Sequence, residues 1–242
     1  MNNTFDSIAD HYDRGRIGYS NDLYNALVGY GLKPGDAILD VGCGTGLASG
    51  PLIDNGYRVT GVDPSGPMLA FAKRNYPQAT WTEASAENLP FQDGSFDAAI
   101  AAQSFHRVDA TKAIAEMLRV LRPGGIVAIW WKSLVTGDEV KHARVEVAAE
   151  MGVPSVATKH PPFKEFYATK WSDSSLRVLP WRASTSLEGF MEYERSRAIV
   201  HERFSDVEAY IAALRVRFGE MFGAGDPPIP LSYTQFLYLA KK

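Results

Sequence analysis

Between positions 37 and 131 short apolar runs alternate with stretches of helical periodicity, and this alternation constrains the chain more than any other feature. The runs "AILDV", "YRVTGVD", "ATWTEA", "FDAAIAA" and "IVAIWW" read as five strands. Helices are expected over about Leu47 to Asn55, over about Pro67 to Tyr76, and where Ile114, Met117, Leu118 and Leu121 share one face. Strands separated by helices pair in parallel, because each crossover needs a helix's length to return, and the helices then cover both faces of the sheet. The turn "QDGS" leads into the fourth strand, and "RPGG" stops the preceding helix and turns into the fifth.

Beyond Trp131 the rhythm changes. Residues from Ser133 to about Ser175 read as irregular helix and loop with "HPPF" at the centre, and "LRVLPWRAST" and "YTQFLYLAK" read as two further strands. Ser205 and Glu208 carry a capping-box signature opening an amphipathic helix to about Phe222. The expected architecture is α/β: a doubly wound, mostly parallel seven-stranded sheet in one domain. It comprises an N-terminal arm (1–36), a core (37–132), a lid-like insertion (133–175) and the remaining strands and helices (176–242). Arm and insertion are expected over the carboxyl end of the sheet, where open α/β sheets bind ligands.

At 242 residues, 45% hydrophobic and 22% charged, the chain can bury a sizeable core, which excludes a disordered or low-complexity protein. A formal charge of -3 gives no general attraction to nucleic acid or anionic lipid. The single cysteine, Cys43, has no disulfide partner, the N-terminal stretch lacks a signal-peptide core, and the longest apolar runs are too short to span a bilayer. These features predict a cytoplasmic protein with neither nucleic acid nor a membrane as its default partner; a small-molecule partner and a monomeric or homodimeric state are expected alongside.

The chemistry is concentrated in "ILDVGCGTGLASG" at positions 38–50. Gly42, Gly44 and Gly46 sit where the first strand turns toward its helix, and glycine lets the backbone approach a ligand closely and adopt positive φ. The second strand ends in Asp63, about 20 residues on, where a carboxylate can accept both hydroxyls of a ribose. A dinucleotide fingerprint would carry its third glycine at position 47, which is Leu47 here. Asp40, ending the first strand, would repel a pyrophosphate and suit a cationic ammonium or sulfonium. The pattern therefore predicts an adenosine-bearing ligand with a cationic amino-acid half and argues against a nicotinamide-dependent oxidoreductase.

These residues resemble the seven-stranded, Rossmann-like S-adenosylmethionine-dependent methyltransferases. "LDVGCGTG" is similar to that family's first motif, "GVDPSGPML" to its second and "ASAENLPFQDGSFDAAIAAQSFH" to the segment through its fourth strand. "EMLRVLRPGGIVAI" resembles the helix, turn and strand that follow. The flavour is that of the type 11 branch, with relatives of the trans-aconitate and quinone-biosynthesis kinds, and the likeness covers about residues 5 to 131. It implies that Asp40 and the backbone of Gly42, Cys43, Gly44 and Gly46 hold the methionine moiety and that Asp63 takes the ribose hydroxyls. Pro64 and Met68 would line the adenine. Ala86, through its backbone, and Glu87 would border the adenine edge, and Gln103 would lie near the methyl group. The N-terminal arm would close over the cofactor, with Tyr12, Arg16 and Tyr19 reaching its carboxylate or the substrate. Two positions depart from the branch: Ser85 stands where an acidic residue commonly precedes the Ala-Glu pair, and Arg107 where the trans-aconitate-like group often carries tryptophan.

Methyl transfer from a sulfonium requires no metal, and the five histidines show no ligand spacing with one another or with Cys43. His106, just past the fourth strand, is the candidate base; its alternative role is to hydrogen-bond the lid or shape the pocket. Arg107 either attracts an anionic substrate or is simply solvated. Trp131, with Trp130, Phe163, Phe166, Tyr167, Trp171 and Trp181, would line an apolar pocket or pack as ordinary core. Lys159 and His160 read as a solvated loop or as contacts to substrate polar groups. The charge-rich "EYERSRAIVHERF" reads as a solvated helix face. The expected reaction is O- or N-methylation of a small metabolite, with C-methylation of a quinone precursor and cofactor binding without catalysis as the alternatives.

Overall fold

The structure, a computed structural model, describes residues 4–135, 138–153, 164–223 and 225–242. Seven strands form one sheet: β1 Ala37–Val41, β2 Arg58–Asp63, β3 Thr80–Glu83, β4 Phe96–Ala102, β5 Leu121–Leu134, β6 Asp173–Ser186 and β7 Pro228–Lys241. Their order is β3-β2-β1-β4-β5-β7-β6. The pairs from β3 across to β5 are parallel. β7 runs against β5: Lys242 N–H donates to Gly125 O at one end and Val135 N–H to Ser232 O at the other. The sheet is mostly parallel with helices on both faces, a Rossmann-like α/β fold as the alternation predicts. Strand order reverses between β1 and β4, so their carboxyl ends flank the switch-point crevice where such sheets receive ligands.

The helices are α1 Thr4–Gly15, α2 Asn21–Tyr30, α3 Gly50–Asp54, α4 Gly66–Asn75, α5 Ala110–Val120, α6 Glu139–Glu150, α7 Lys164–Ala168, α8 Leu187–Arg195, α9 Ala198–Arg203 and α10 Val207–Phe222. The chain divides into two compact bodies. The core body comprises Gly18–Lys132, His160–Leu179 and Gln235–Lys242; the second comprises Met1–Ile17, Ser133–Lys159 and Pro180–Thr234.

In the core body the strands are apolar on both faces, and neighbouring residues part to opposite layers as the period of two dictates. Leu39, Ala99, Val127, Ile129 and Trp131 pack with α5 through Ile114 and Met117 and with α7 through Phe166. Ile38, Ala98, Ile100, Ala128 and Trp130 pack with α2 through Leu23 and Leu27. In the second body α6, α8, α10 and the start of β7 share a separate core around Val147, Phe190, Leu214, Phe218 and Tyr233.

Local chemistry shifts some boundaries. α3 begins at Gly50 rather than near Leu47, because residues 47–49 continue the glycine loop as turns and Pro51 then occupies the first helical turn. "RPGG" bulges out of the ladder: Phe96 pairs with Leu121 but Ala98 already with Ile126, and Gly124 takes φ +74°. The Ser205/Glu208 capping box does not form. Asp206 caps α10, its Oδ1 accepting from Ala209 N at 2.9 Å, while the Glu208 carboxylate pairs with Arg195. Nor is "EYERSRAIVHERF" a solvated face. Glu194 and Ser196 are fully buried in the second body, because Arg144 of α6 and Arg197 supply the charge that Glu194 needs.

Candidate active site at the carboxyl ends of the parallel strands

The loop after β1 explains its three glycines. Gly42, Gly44 and Gly46 take φ of +72°, +55° and +83°, a region costly to residues with a Cβ. Space is equally restrictive at Gly42, where a Cβ would lie 2.5 Å from the Ser104 Cβ, next to the Ser104 hydroxyl that donates to Val41 O at 2.8 Å. The loop therefore passes tightly across the end of β4. Cys43 points the other way, into a small cluster with Leu69, Ala72 and Trp81. Burial, with Asp40 and Asp63 nearby, pushes its thiol pKa up, so it is an inert packing residue.

Asp40 is completely buried at the end of β1. Its Oδ2 accepts a 2.7 Å hydrogen bond from the Ser49 hydroxyl, while Oδ1 has no hydrogen-bond partner among the described residues. Desolvation raises its pKa to about 7; the Ser49 bond opposes the rise and Asp63 adds to it. Tyr24 from α2 stands close by, donating to Ala48 O at 3.2 Å. Asp63 supports the same loop: Oδ2 accepts from Gly44 N at 3.0 Å and Oδ1 from Ser65 N at 2.9 Å.

Around this loop, Met68 is buried at the start of α4, where Ser65 caps the helix through Met68 N, and Pro64 is exposed. Ala86 is buried, and Glu87 Oε1 accepts from Asp109 N at 2.8 Å. The Glu87 side chain thus holds the entry to α5.

Gln103, past the end of β4, is the only non-glycine residue with positive φ, +56°, among those described. Its N–H donates to Trp130 O at 3.0 Å and its Nε2 to Lys132 O at 3.1 Å, fixing the strained backbone against the end of β5. Lys132 was not foreseen from the sequence. It is buried, donates from Nζ to Gly18 O at 2.6 Å and sits 4.9 Å from the centre of the Tyr19 ring, which meets Trp130 edge-on at 5.6 Å. A lysine closing the apolar run "IVAIWWK" was the available signal. Ser49, Ser104 and Tyr24 were missed as well, since their roles depend on contacts across the loop.

His106 lies in a single 3-10 turn, residues 105–107, with its ring 6.3 Å from that of Trp131. It is exposed on one side, and desolvation on the other together with Arg107 lowers its pKa. The imidazole is therefore neutral at pH 7 and able to accept a proton. Trp131 is buried within the α5 layer and Arg107 is exposed. Tyr12 and Arg16 belong to the second body, where the Arg16 guanidinium lies 4.5 Å from the centre of the Tyr12 ring and donates to Ser196 O at 2.9 Å. Phe163, Lys159, His160 and the rest of "HPPF" lie outside the described residues. Among the described residues no group of three or more His, Cys, Asp or Glu is placed to hold a metal, and no helix is long and apolar enough to cross a membrane.

Comparison with known proteins agrees with this geometry. Residues 39–129 match the family model described as a methyltransferase domain, type 11. An uncharacterized methyltransferase of Mycobacterium tuberculosis is 36% identical over 133 residues, 55% of this chain and 54% of that protein. A demethylmenaquinone methyltransferase of Beutenbergia cavernae is 36% identical over 136 residues, 52% of this chain and 55% of that one. The chain thus spans about half the length of the curated relatives it matches. A solved structure from Anaeromyxobacter dehalogenans, described provisionally as a type II methyltransferase, superposes with a TM-score of 0.65 at 26% identity over 93% of this chain and 97% of that one. A phosphoethanolamine N-methyltransferase of Haemonchus contortus, solved with S-adenosyl-L-methionine, shares the fold at a TM-score of 0.56 and 18% identity, over 98% of this chain and 57% of that one. With the positive-φ glycine loop, the buried acid ahead of it and Asp63 behind it, residues 39–129 are a methyltransferase domain of the class I, type 11 family.

Proposed function

We propose that the protein transfers a methyl group from S-adenosylmethionine to a small organic acceptor by O- or N-methylation, in the cytoplasm. The observation that carries this reading is the unfilled Oδ1 of Asp40: a buried carboxylate beside a glycine loop is costly unless a cation completes it, and a cofactor with an ammonium and a sulfonium is such a cation. Bound there, the cofactor supplies an electrophilic methyl group.

The protein's residues bind, orient and exclude water. Asp40 takes the ammonium, and the backbone of Gly42 to Gly46 follows the methionine chain. Asp63 adds the two ribose hydroxyls to the backbone bonds it already accepts. Met68, Pro64 and the Ala86 backbone border the adenine, and Gln103 holds the end of β4 beside the methyl group. Tyr19, Arg107 and Trp131 stand on the acceptor's side. His106, neutral at pH 7, takes the proton from an acceptor that must lose one; a carboxylate or phenolate acceptor needs no base. Rate enhancement comes mainly from aligning nucleophile and methyl.

Relatives named demethylmenaquinone methyltransferase, matched over about half of their length, support a second reading, C-methylation of a quinone precursor. Labelled S-adenosylmethionine incubated with acids, amines, phenols and a demethylquinone separates the readings. A labelled O- or N-methyl product supports the first, and a C-methyl product replaces it with the second. Binding without any labelled product would leave a cofactor-binding protein. Asp63→Ala is expected to weaken cofactor binding at least tenfold, and unchanged affinity would overturn the ribose assignment.

A further inference from the structure

In the second body several guanidinium groups converge on one buried carboxylate. Glu194, with no exposed surface, faces Arg144 Nε at 3.0 Å through Oε1 and Arg197 at 2.7 Å through Oε2, and Oε2 also accepts from the Tyr210 hydroxyl at 3.1 Å. Arg16 lies close enough for its charge to act on both Glu194 and Tyr233. Three guanidinium groups therefore surround one carboxylate, and their hydrogen bonds are incomplete.

The Arg144 side chain is 13% exposed, and among the described residues it faces Glu194, Tyr210 and Tyr193; its Nε and Glu194 Oε1 are in ion-pair range without an aligned hydrogen bond. Arg16 spends one Nη on Ser196 O, while its Nε is buried with no hydrogen-bond partner among the described residues. Burying guanidinium N–H groups unfilled is expensive, and the planar fork of each fits the two oxygens of a carboxylate. Aromatic faces adjoin: Tyr12 and Tyr193 lie 4.5 and 5.3 Å from the Arg16 guanidinium, and Trp181 stacks on Tyr233 at 5.4 Å.

We infer that Arg144 and Arg16 form the seat of a carboxylate on a small, partly planar organic acid. This assigns Arg16 and Tyr12 to an acid rather than to the cofactor. The seat uses residues of the second body alone and does not depend on the methyl-transfer reading. Glu194 is its internal competitor, holding Arg144 and Arg197 in place while contesting the incoming carboxylate. The ring faces favour an organic acid over inorganic phosphate, which offers them no apolar surface.

The test is titration of the intact protein with benzoate and with inorganic phosphate at constant ionic strength, followed by calorimetry, with S-adenosylhomocysteine titrated separately into each variant. Benzoate is expected to bind saturably and at least fivefold more tightly than phosphate. Arg144→Lys, which keeps the charge but loses the fork, should weaken benzoate at least tenfold and leave S-adenosylhomocysteine affinity unchanged. Glu194→Gln, which removes the competitor, should tighten benzoate at least threefold, a change that a purely structural ion pair does not produce. If Glu194→Gln fails to fold, Arg144→Lys decides. Absence of saturable benzoate binding by the wild type, phosphate binding as tight as benzoate, or wild-type benzoate affinity in Arg144→Lys would overturn the inference.

Discussion

The Ser49 hydroxyl donates a 2.7 Å hydrogen bond to Oδ2 of Asp40 and leaves Oδ1 of the same buried carboxylate unfilled. The pair sits at the end of β1, where the loop bends across β4, and places an incompletely compensated negative charge where the fold brings a ligand.

Such a charge weakens the fold that carries it. The Asp40 pKa rises from 3.8 to about 7 on folding. Between those values the unfolded chain releases the proton while the folded chain keeps it, so the contribution of Asp40 to stability falls as pH rises from about 4 to 7 and then levels off. The shift corresponds to roughly 4 kcal/mol. Asp40→Asn should therefore stabilise the ligand-free protein by a few kcal/mol at pH 8 and by little at pH 4, read from urea unfolding at each pH. An equal effect at both would show that Asp40 is not buried as a charge.

Gly42 tests the loop. Alanine there pays about 1–2 kcal/mol for positive φ and also meets Ser104. Gly42→Ala should lower the unfolding free energy by at least 2 kcal/mol and weaken S-adenosylhomocysteine binding more than tenfold. Adding Ser104→Gly should recover the steric part of the stability and not the part due to φ. Full recovery would mean that the backbone conformation carries no cost.

His106 tests proton removal. Its pKa lies below the ordinary value, so with an acceptor that must lose a proton the acid limb of the kcat/KM profile should fall below pH 6.5. His106→Gln should lower kcat by about two orders of magnitude and remove that limb. A variant of unchanged kcat with a raised KM would make His106 a pocket residue.

The sheet could be read from the sequence because its determinants are local: "AILDV" and "FDAAIAA" are apolar throughout, as strands covered on both faces must be, and each is bounded by turn residues. The glycine loop was legible for a similar reason, since φ limits act residue by residue. Where long-range pairing decides, local reading failed. Glu194 sits in a charge-rich run that looks solvated, and only Arg144, fifty residues earlier, makes it a buried ion. The Ser205/Glu208 signature lost to Asp206 because Arg195, on another helix, claims the Glu208 carboxylate. Lys132 went unread because its burial depends on Gly18 and Tyr19 at a distant point in the chain.

The central claim, that Asp40 seats the cationic amino-acid end of S-adenosylmethionine, is tested most directly by calorimetric titration with S-adenosylhomocysteine between pH 5.5 and 8.5. With Asp40 ionising near pH 7 and the ligand's ammonium charged throughout this range, affinity should weaken about tenfold per pH unit well below 7 and level off above it. Asp40→Asn should bind at least tenfold more weakly at pH 7.5 and lose the acid limb. Wild-type affinity in Asp40→Asn, or a wild-type profile that is flat across pH 7, would contradict the claim.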